Sequence, residues 1–489
     1  MLPGETAAVS TGRVQHLIAN TASLVTNDMV NRVITFFVYA LIARYLGPYE
    51  FGQMSLTLTI FYLLQSLAPV GLKILIVREV AKNKECSGEY LVNGSLVAFS
   101  TSVAAFLLMG FFLFLMKYSS DTVGIILVVS LGLIPYSITA VCEALLQSHE
   151  KIKYITAANV PVSIVRGIAA FALLASGLSL IWIGVLFFVT FTATLIFEWL
   201  LVSKHIARPV WNIDRSLLRQ IGRSSITFLG LQTVIAITGS ILPIFLSKSA
   251  GEIEVGLLNA ANQLMAPILL ISQSTVMSLF PRMCQKFNNS PDGLGKISER
   301  LLEILFTFTL PCTIGLFFFA QQALLILYEK TEFSQSTMIL QIMVWILIFR
   351  AITSVLGRVL MASQRERTLL NIMLAEAVLT LALCFWLVPG WKLAGAAYVA
   401  IIIGLIDLVL HIGFTWRVAG NIHYGRSFWK PVLASLAMSG LILLSLDIGL
   451  NIWITILISG AGYALFWVIL AILENGSWPQ VLKHYQVQQ

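Results

Sequence analysis

Four basic residues, Arg32, Lys73, Arg166 and Arg350, stand inside long apolar stretches of the chain. A charged side chain at the centre of a hydrocarbon layer costs about 2.5 to 3.5 kcal/mol on insertion scales, so such residues mark binding sites or ion pathways by default. Arg and Lys are also the usual partners of phosphate groups. The four residues therefore predict a polar cavity that suits an anionic substrate.

The first apolar stretch carries further polar residues. At about 100° per residue, one helical arc of about 140° holds all of them: Asn20, Asn27, Asp28, Asn31, Arg32 and Thr35. This pattern predicts a helix that lines water, with Asn27 and Asn31 beside the basic group. The alternative is that Asp28 and Arg32, four positions apart, simply neutralise each other.

The other basic residues also have structural alternatives. Lys73 follows the helix breaker Pro69-Val-Gly71 and either lines a cavity or extends its ammonium group to the membrane surface. Arg166 and Arg350 lie too deep for that, and their alternative is an ion pair with Glu376 or Asp407.

Acidic and imidazole groups within the spans are the candidates for coupling transport to a proton or cation gradient. They are Asp28, Glu376, Asp407 and His411. Each is also compatible with a structural role. The five cysteines are widely separated, and the sequence indicates no disulfide framework, metal site or cofactor.

Composition places these residues in a membrane protein. Of 489 residues, 58% are hydrophobic and 11% are charged, and the mean hydropathy is +0.88. Since one span needs about 20 apolar residues, such a chain has room for roughly twelve to fifteen spans. We predict an all-α integral membrane fold of about fourteen helices, with no extramembrane catalytic domain.

Basic residues sort by loop parity, which predicts orientation. If the N-terminus is cytoplasmic, the external loops hold only a few of them: Arg44, Lys117, Lys248, Lys330 and Lys392. We therefore expect a multi-pass protein of the inner (plasma) membrane with both termini cytoplasmic. The net charge of +8 is explained by this sorting and by anionic lipid headgroups, so nucleic acid is not an expected partner.

Two alignments indicate an internal repeat with a six-helix period. Tyr136 to Lys153 aligns without gaps on Arg350 to Arg367, and the turn Gly47 to Gly52 matches Gly251 to Gly256. An even period gives two parallel lobes around a central cavity. We predict an N-terminal lobe at 1–204, a cytoplasmic linker at 205–223, a C-terminal lobe at 224–418, and two additional helices with a tail at 419–489.

Three short motifs stand at predicted helix ends: Ala43-Arg-Tyr-Leu-Gly-Pro-Tyr-Glu-Phe-Gly52, Val77-Arg-Glu-Val-Ala-Lys82 and Leu279-Phe-Pro-Arg282. They resemble the polysaccharide-type flippases, a family related to the O-antigen flippases and more distantly to the lipid II flippase and the multidrug extrusion transporters. The resemblance implies transfer of an undecaprenyl-diphosphate-linked oligosaccharide to the outer leaflet by alternating access, for cell-surface polysaccharide synthesis. It implies no enzymatic activity; expected partners are the lipid-linked oligosaccharide, membrane lipids, a polysaccharide polymerase and glycosyltransferases.

Two other readings remain open. A cation-coupled multidrug antiporter would share the fold, but its cavity should carry acidic and aromatic rather than basic groups. A membrane polymerase or ligase needs a sizeable external loop with catalytic residues, and the predicted external loops are short. Within the flippase hypothesis, Arg32, Lys73 and Arg350 hold the diphosphate, with Arg166, Asn27 and Asn31 lining the same cavity.

Overall fold

A computed structural model shows an α-helical chain. It describes the backbone of residues 3–69, 71–226, 230–289, 291–419 and 424–475, with side chains described chiefly from Thr26 onward, and these residues contain no β-strand. The chain divides into two compact units, Met1–Gly256 and Leu257–Gln489. The lobe and linker boundaries expected from the sequence stay predictions.

The first unit contains ten helices and the start of an eleventh among its described residues. They are α1 (Pro3–Leu46), α2 (Pro48–Leu67), α3 (Leu72–Lys82), α4 (Ser87–Met116), α5 (Ser120–Ser130), α6 (Leu133–Ser148), α7 (Lys153–Ala175), α8 (Leu180–His205), α9 (Arg215–Ile226), α10 (Gly230–Ser249) and the first turn of α11 (Glu252–Asn289). A buried apolar cluster that includes Leu72, Ile76, Leu91, Val141 and Leu145 joins α3, α4 and α6.

The second unit holds the rest of α11 and seven further described helices. They are α12 (Pro291–Phe318), α13 (Ala320–Tyr328), α14 (Ser336–Met343), α15 (Ile346–Ala362), α16 (Glu366–Ala419), α17 (Tyr424–Asp447) and α18 (Ile452–Asn475). Its main core includes Leu302, Phe306, Val355 and Leu356 from α12 and α15. Lys392 has a non-helical backbone (φ 45°), so α16 consists of two helices joined at a kink.

Eleven described helices are long and apolar enough to cross a membrane, or twelve if the bent pair Thr331–Met343 and Ile346–Ala362 is one span. This finding confirms the all-α membrane class. The kinked α16 counts once in that number, and the shorter apolar helix Thr233–Ser249 is not included. The total of fourteen spans therefore stays a prediction.

The break expected at Pro69 to Gly71 is present, because α2 ends at Leu67 and α3 begins at Leu72. Proline cannot continue a helical hydrogen-bond ladder. Gly71 then adopts a positive φ of 71°, which a residue without Cβ reaches at little cost. The two helices together form one apolar segment, Pro48–Lys82.

Positions aligned by the sequence repeat share unusual backbone conformations. Gly47 and Gly251 both have φ 104°, and Glu150 and its aligned partner Gln364 both have φ 58°. The helix-ending hydrogen bonds match as well: the backbone N–H of Lys151 donates to Leu146 O at 2.8 Å, and that of Arg365 donates to Leu360 O at 2.9 Å. The two stretches thus fold alike, as their alignment predicts.

The two glycine turns, predicted as tight turns, also touch each other within the first unit. A Cβ placed on Gly52 would lie 1.8 Å from the carbonyl oxygen of Glu252, and one on Gly256 would lie 2.1 Å from that of Pro48. The first turns of α2 and α11 are therefore in direct backbone contact. Beside them, the Thr122 hydroxyl accepts from Gln53 Nε2 at 2.9 Å and donates to Glu252 Oε1 at 3.1 Å.

A buried ion triad joins three helices of the second unit. Lys430 Nζ of α17 lies 2.6 Å from Glu303 Oε1 of α12 and 2.5 Å from Glu474 Oε2 of α18. The Lys430 side chain is only 2% exposed. This side chain ties the last two described helices to α12.

Candidate functional site

The polar face of α1 packs partly against α7. The Ser163 hydroxyl donates to Asn31 Oδ1, and Asn31 Nδ2 donates to Asn27 O at 3.0 Å. Further along, the Thr156 hydroxyl donates to Ser23 O at 2.9 Å. Asn20 lies outside the side chains that the structure describes. Asn31 is thus held in place by the α1–α7 interface, and its Nδ2 also lies 3.3 Å from the side-chain oxygen of Asn27.

Asp28 and Arg32 form the ion pair that the sequence offered as an alternative. Arg32 Nε lies 2.9 Å from Asp28 Oδ2, and the side chains are 51% and 61% exposed respectively for Arg32 and Asp28. A guanidinium group carries five N–H donors, and the described contact engages one of them. The pair therefore orients Arg32 without using up its capacity to bind an anion.

Arg166 of α7 is the most buried of the four basic residues, at 9% exposed. Its guanidinium carbon lies 5.3 Å from the ring centroid of Phe187 on α8, and its Nε has no hydrogen-bond partner. Tyr62 of α2 interacts electrostatically with both Arg166 and Arg32. Within the described part of the chain no carboxylate pairs with Arg166, so its alternative, an ion pair with a membrane-embedded acid, is not observed.

Lys73 adopts an arrangement that the sequence analysis missed. Its ammonium group lies 2.5 Å from Glu143 Oε2 on α6. Glu198 on α8, fully buried, interacts electrostatically with both residues and accepts from Asn159 Nδ2 at 3.2 Å. Glu143 and Glu198 each interrupt an apolar stretch, so the criterion applied to the basic residues would have found them.

The second unit brings together Glu376, Asp407 and His411. His411 Nδ1 lies 2.6 Å from Asp407 Oδ1, and Glu376 hydrogen-bonds Asp407. All three are buried, at 6%, 3% and 5% exposed. Arg350 Nη1 of α15 lies 3.8 Å from Asp407 Oδ2 and is half exposed. The ion pair offered as the alternative for Arg350 is therefore formed.

This acid cluster is chemically suited to hold a proton or a cation. One ligand atom from each of Glu376, Asp407 and His411 lies within 4.8 Å of the others. Two carboxyl groups can hydrogen-bond each other only when one carries a proton, and otherwise a positive charge must separate them. Asp28, the third acid proposed for coupling, instead lies exposed beside Arg32 in the first unit.

The helices and the clustered ionisable residues define a multi-pass membrane protein with the fold of known lipid and drug transporters. The solved lipid II flippase MurJ in an inward closed conformation superposes with a TM-score of 0.72 at 16% identity, covering 93% of this chain and 98% of that one. An inward-facing multidrug resistance transporter of the MATE family gives a TM-score of 0.65 at 16% identity, over 81% and 97%.

Family profiles make the assignment more specific. The polysaccharide biosynthesis protein profile matches residues 17–287, more than half of the chain, and the MatE profile matches residues 229–386. The chain belongs to the polysaccharide biosynthesis protein family. A probable low-salt glycan biosynthesis flippase of Haloferax volcanii is 23% identical over 243 residues, which are 49% of this chain and 50% of that protein. The match thus spans about half the length of that relative.

Proposed function

We propose that this protein is a flippase that moves an undecaprenyl-diphosphate-linked oligosaccharide from the cytoplasmic to the outer leaflet of the inner membrane by alternating access. Its membership of the polysaccharide biosynthesis protein family and its fold support this function. In this proposal the protein performs no catalytic step. Its product supplies cell-surface polysaccharide synthesis, where a polymerase and glycosyltransferases are the expected partners.

The observation that carries the proposal is the buried guanidinium group of Arg166. Arg166 is nine-tenths buried, and its Nε has no hydrogen-bond partner. Like Arg32, it interacts electrostatically with Tyr62. Burial of a charge without an opposite charge is costly, so an anionic ligand that pairs with it binds strongly. Arg166 and Arg32, with Asn27 and Asn31 nearby, are the proposed diphosphate-binding residues of the first unit.

Lys73 and Arg350 have a different place in this proposal, since each has an acidic partner. A diphosphate that contacts Lys73 must compete with Glu143, and one that contacts Arg350 must compete with Asp407. Such competition makes their contribution dependent on the protonation of the acid. We assign Glu376 and Asp407 the role of the coupling-ion site, with His411 as the third group.

The test is a leaflet assay in proteoliposomes with a fluorescent undecaprenyl-diphosphate oligosaccharide, in which an impermeant reductant bleaches only the outer leaflet. Hydrogen bonds to charged groups contribute about 1.5 to 3 kcal/mol, so Arg166→Gln should slow transfer by about tenfold or more. Arg166→Lys keeps the charge and should retain part of the rate. Arg367→Gln, an exposed position, is the matched control and should leave the rate unchanged.

A cation-coupled multidrug antiporter is the second candidate, and the acid cluster of Glu376, Asp407 and His411 is the observation that favours it. The same proteoliposomes distinguish the two functions. Gradient-driven uptake of a fluorescent organic cation, without transfer of the lipid-linked oligosaccharide, would replace the flippase proposal by the antiporter. Transfer of the oligosaccharide that is lost in Arg166→Gln and kept in Arg367→Gln would support the flippase.

A further inference from the structure

The segment between α8 and α9, residues 206–214, forms a strap across the N-terminal half of α4. The backbone N–H of Val210 donates to Gly88 O at 3.3 Å. Asn93, fully buried, uses both ends of its amide: Nδ2 donates to Asn212 O at 3.0 Å, and Oδ1 accepts from the Asp214 N–H at 3.2 Å. One side chain thus fixes the strap at two points.

The strap lies close to α4 because Gly88 leaves room for it. A Cβ at Gly88 would lie 2.6 Å from Arg208 O and 2.8 Å from Val210 Cγ2. Despite this anchoring, several strap side chains stay exposed, with Trp211 at 80% and Ile213 at 62%. Large apolar side chains held by a fixed backbone but left uncovered indicate a surface that meets another apolar molecule.

These side chains close one side of a cavity of about 510 Å³ in the first unit. Its other walls come from α4, α6 and α8. The lining is almost entirely apolar, with Leu96, Phe99, Trp199, Trp211 and Ile213 among its members. In a membrane-spanning bundle, an apolar cavity of this kind fits a hydrocarbon chain.

Basic residues flank the same segment. Lys204 lies in the last turn of α8, Arg208 lies in the strap, and Arg215 and Arg219 lie one helical turn apart on α9; all four side chains are exposed. Asp214, the acid within this segment, accepts hydrogen bonds from the N–H and hydroxyl of Ser216. Positive charge therefore flanks, along the chain, the segment that lines the apolar cavity.

We infer that the strap and α9 form a binding site for an anionic phospholipid of the leaflet facing the basic loops, with one acyl chain in the strap cavity and the phosphate beside Arg208 and Arg215. This site is separate from the diphosphate-binding residues and does not depend on the proposed transport function. The occupant is a lipid of the surrounding membrane, and the phosphate group of that lipid matches the arginine donors.

A second cavity on the same helix provides a comparison. It measures about 530 Å³, lies at the C-terminal end of α4, and is lined by residues that include Phe114, Leu115 and Lys117. Its volume is similar and its lining is also mostly apolar, but that lining includes Lys117, whereas the basic residues of the strap region flank the strap cavity without lining it. It serves as an internal control for a mostly apolar cavity at the other end of α4.

The test uses the purified full chain in detergent and native mass spectrometry, with phosphatidylglycerol and phosphatidylcholine of identical acyl chains. Wild type should retain phosphatidylglycerol more tightly. Each basic residue near an anionic lipid contributes about 1 kcal/mol, so Arg208→Gln with Arg215→Gln should weaken phosphatidylglycerol about 25-fold and leave phosphatidylcholine unchanged. Arg365→Gln with Arg367→Gln, two exposed positions, is the matched control.

Filling the cavity provides a second variant that does not disturb the core. Leu96 and Leu115 are both exposed leucines of α4, at 36% and 58%, and each lines one cavity. Leu96→Trp should weaken retention of phosphatidylglycerol at least tenfold, whereas Leu115→Trp should not. Equal retention of the two lipids by wild type, or equal effects of the two tryptophans, would overturn the inference. So would displacement of phosphatidylglycerol by undecaprenyl diphosphate in wild type, because the cavity would then take the substrate's own chain.

Discussion

The contact between the two glycine turns gives a sharp prediction for Gly52→Ala. The new Cβ would lie 1.8 Å from Glu252 O, and an ordinary contact needs about 3.4 Å, so the two helix ends must separate by about 1.6 Å. Both sides of the contact are backbone, and no rotamer change relieves it. We expect Gly52→Ala to destabilise the first unit.

The magnitude follows from two opposing effects. Overpacking of a well-packed contact costs about 1 to 3 kcal/mol and sometimes more, and this contact is at the upper end because backbone must move. Alanine regains about 1 kcal/mol over glycine in a helix. The expected net loss in free energy of unfolding is about 2 kcal/mol. Gly239→Ala on α10, where no atom lies within 4 Å of the new Cβ, should gain up to about 1 kcal/mol.

The assay is unfolding in detergent micelles, followed by tryptophan fluorescence for Gly52→Ala, Gly256→Ala, Gly239→Ala and the double variant at 52 and 256. Since either single substitution already separates the helix ends, the second should cost much less than the first, and the double variant should be less than additive. Gly52→Ala as stable as Gly239→Ala, or full additivity of the two turn variants, would refute the reasoning.

Three further predictions follow from particular contacts. Asn93→Ala removes two hydrogen bonds of about 1 kcal/mol each, so amide exchange in the strap should accelerate at least tenfold while α7 stays protected. The Asp214 carboxylate accepts the Ser216 N–H at the start of α9, and the hydrogen bonds from Ser216 hold the pKa of Asp214 below its ordinary value. The stability that this contact gives α9 is therefore complete above the ordinary aspartate pKa and is lost as pH falls through the folded-state pKa. Pepsin cleavage in α9, relative to Asp214→Asn, should rise on acidification. Glu376→Gln keeps a hydrogen bond to Asp407 but removes an ionisable carboxyl. In proteoliposomes this variant should therefore abolish the response of transport to an imposed pH gradient. An unchanged response would exclude Glu376 from the coupling site.

Much of the fold was accessible from the sequence because hydrophobicity in a membrane protein is a strong and local signal. The all-α class, the break at Pro69 to Gly71 and the flippase resemblance needed only composition, one proline and short motifs. The Asp28–Arg32 pair was accessible for the same reason, since four positions on a helix bring two side chains together. The number of spans was harder to confirm, because the kink at Lys392 joins two helices into one continuous element.

Contacts between distant helices were not accessible. The pairing of Lys73 with Glu143 spans 70 positions, and nothing in the local sequence of α3 identifies an acid on α6. The strap was predicted only as a cytoplasmic linker. Its anchor is the buried side chain of Asn93, which lies 119 positions before Asn212 in the chain, so the local sequence of the strap does not reveal it. Arg166 was named correctly as a deep basic residue, but its lack of an acidic partner is a property of the packed helices.

The ion triad of Lys430 has a consequence for how the chain assembles during synthesis. Glu303 emerges 127 positions before Lys430, so an acidic partner is already in the membrane when α17 arrives. Glu474 is made later, near the end of α18. A nascent chain that stops before Glu474 holds a neutral Glu303–Lys430 pair, and completion of α18 adds the second acid. Docking of α18 onto α12 and α17 is thus the last of these steps, and chains truncated within α18 should insert their earlier helices normally.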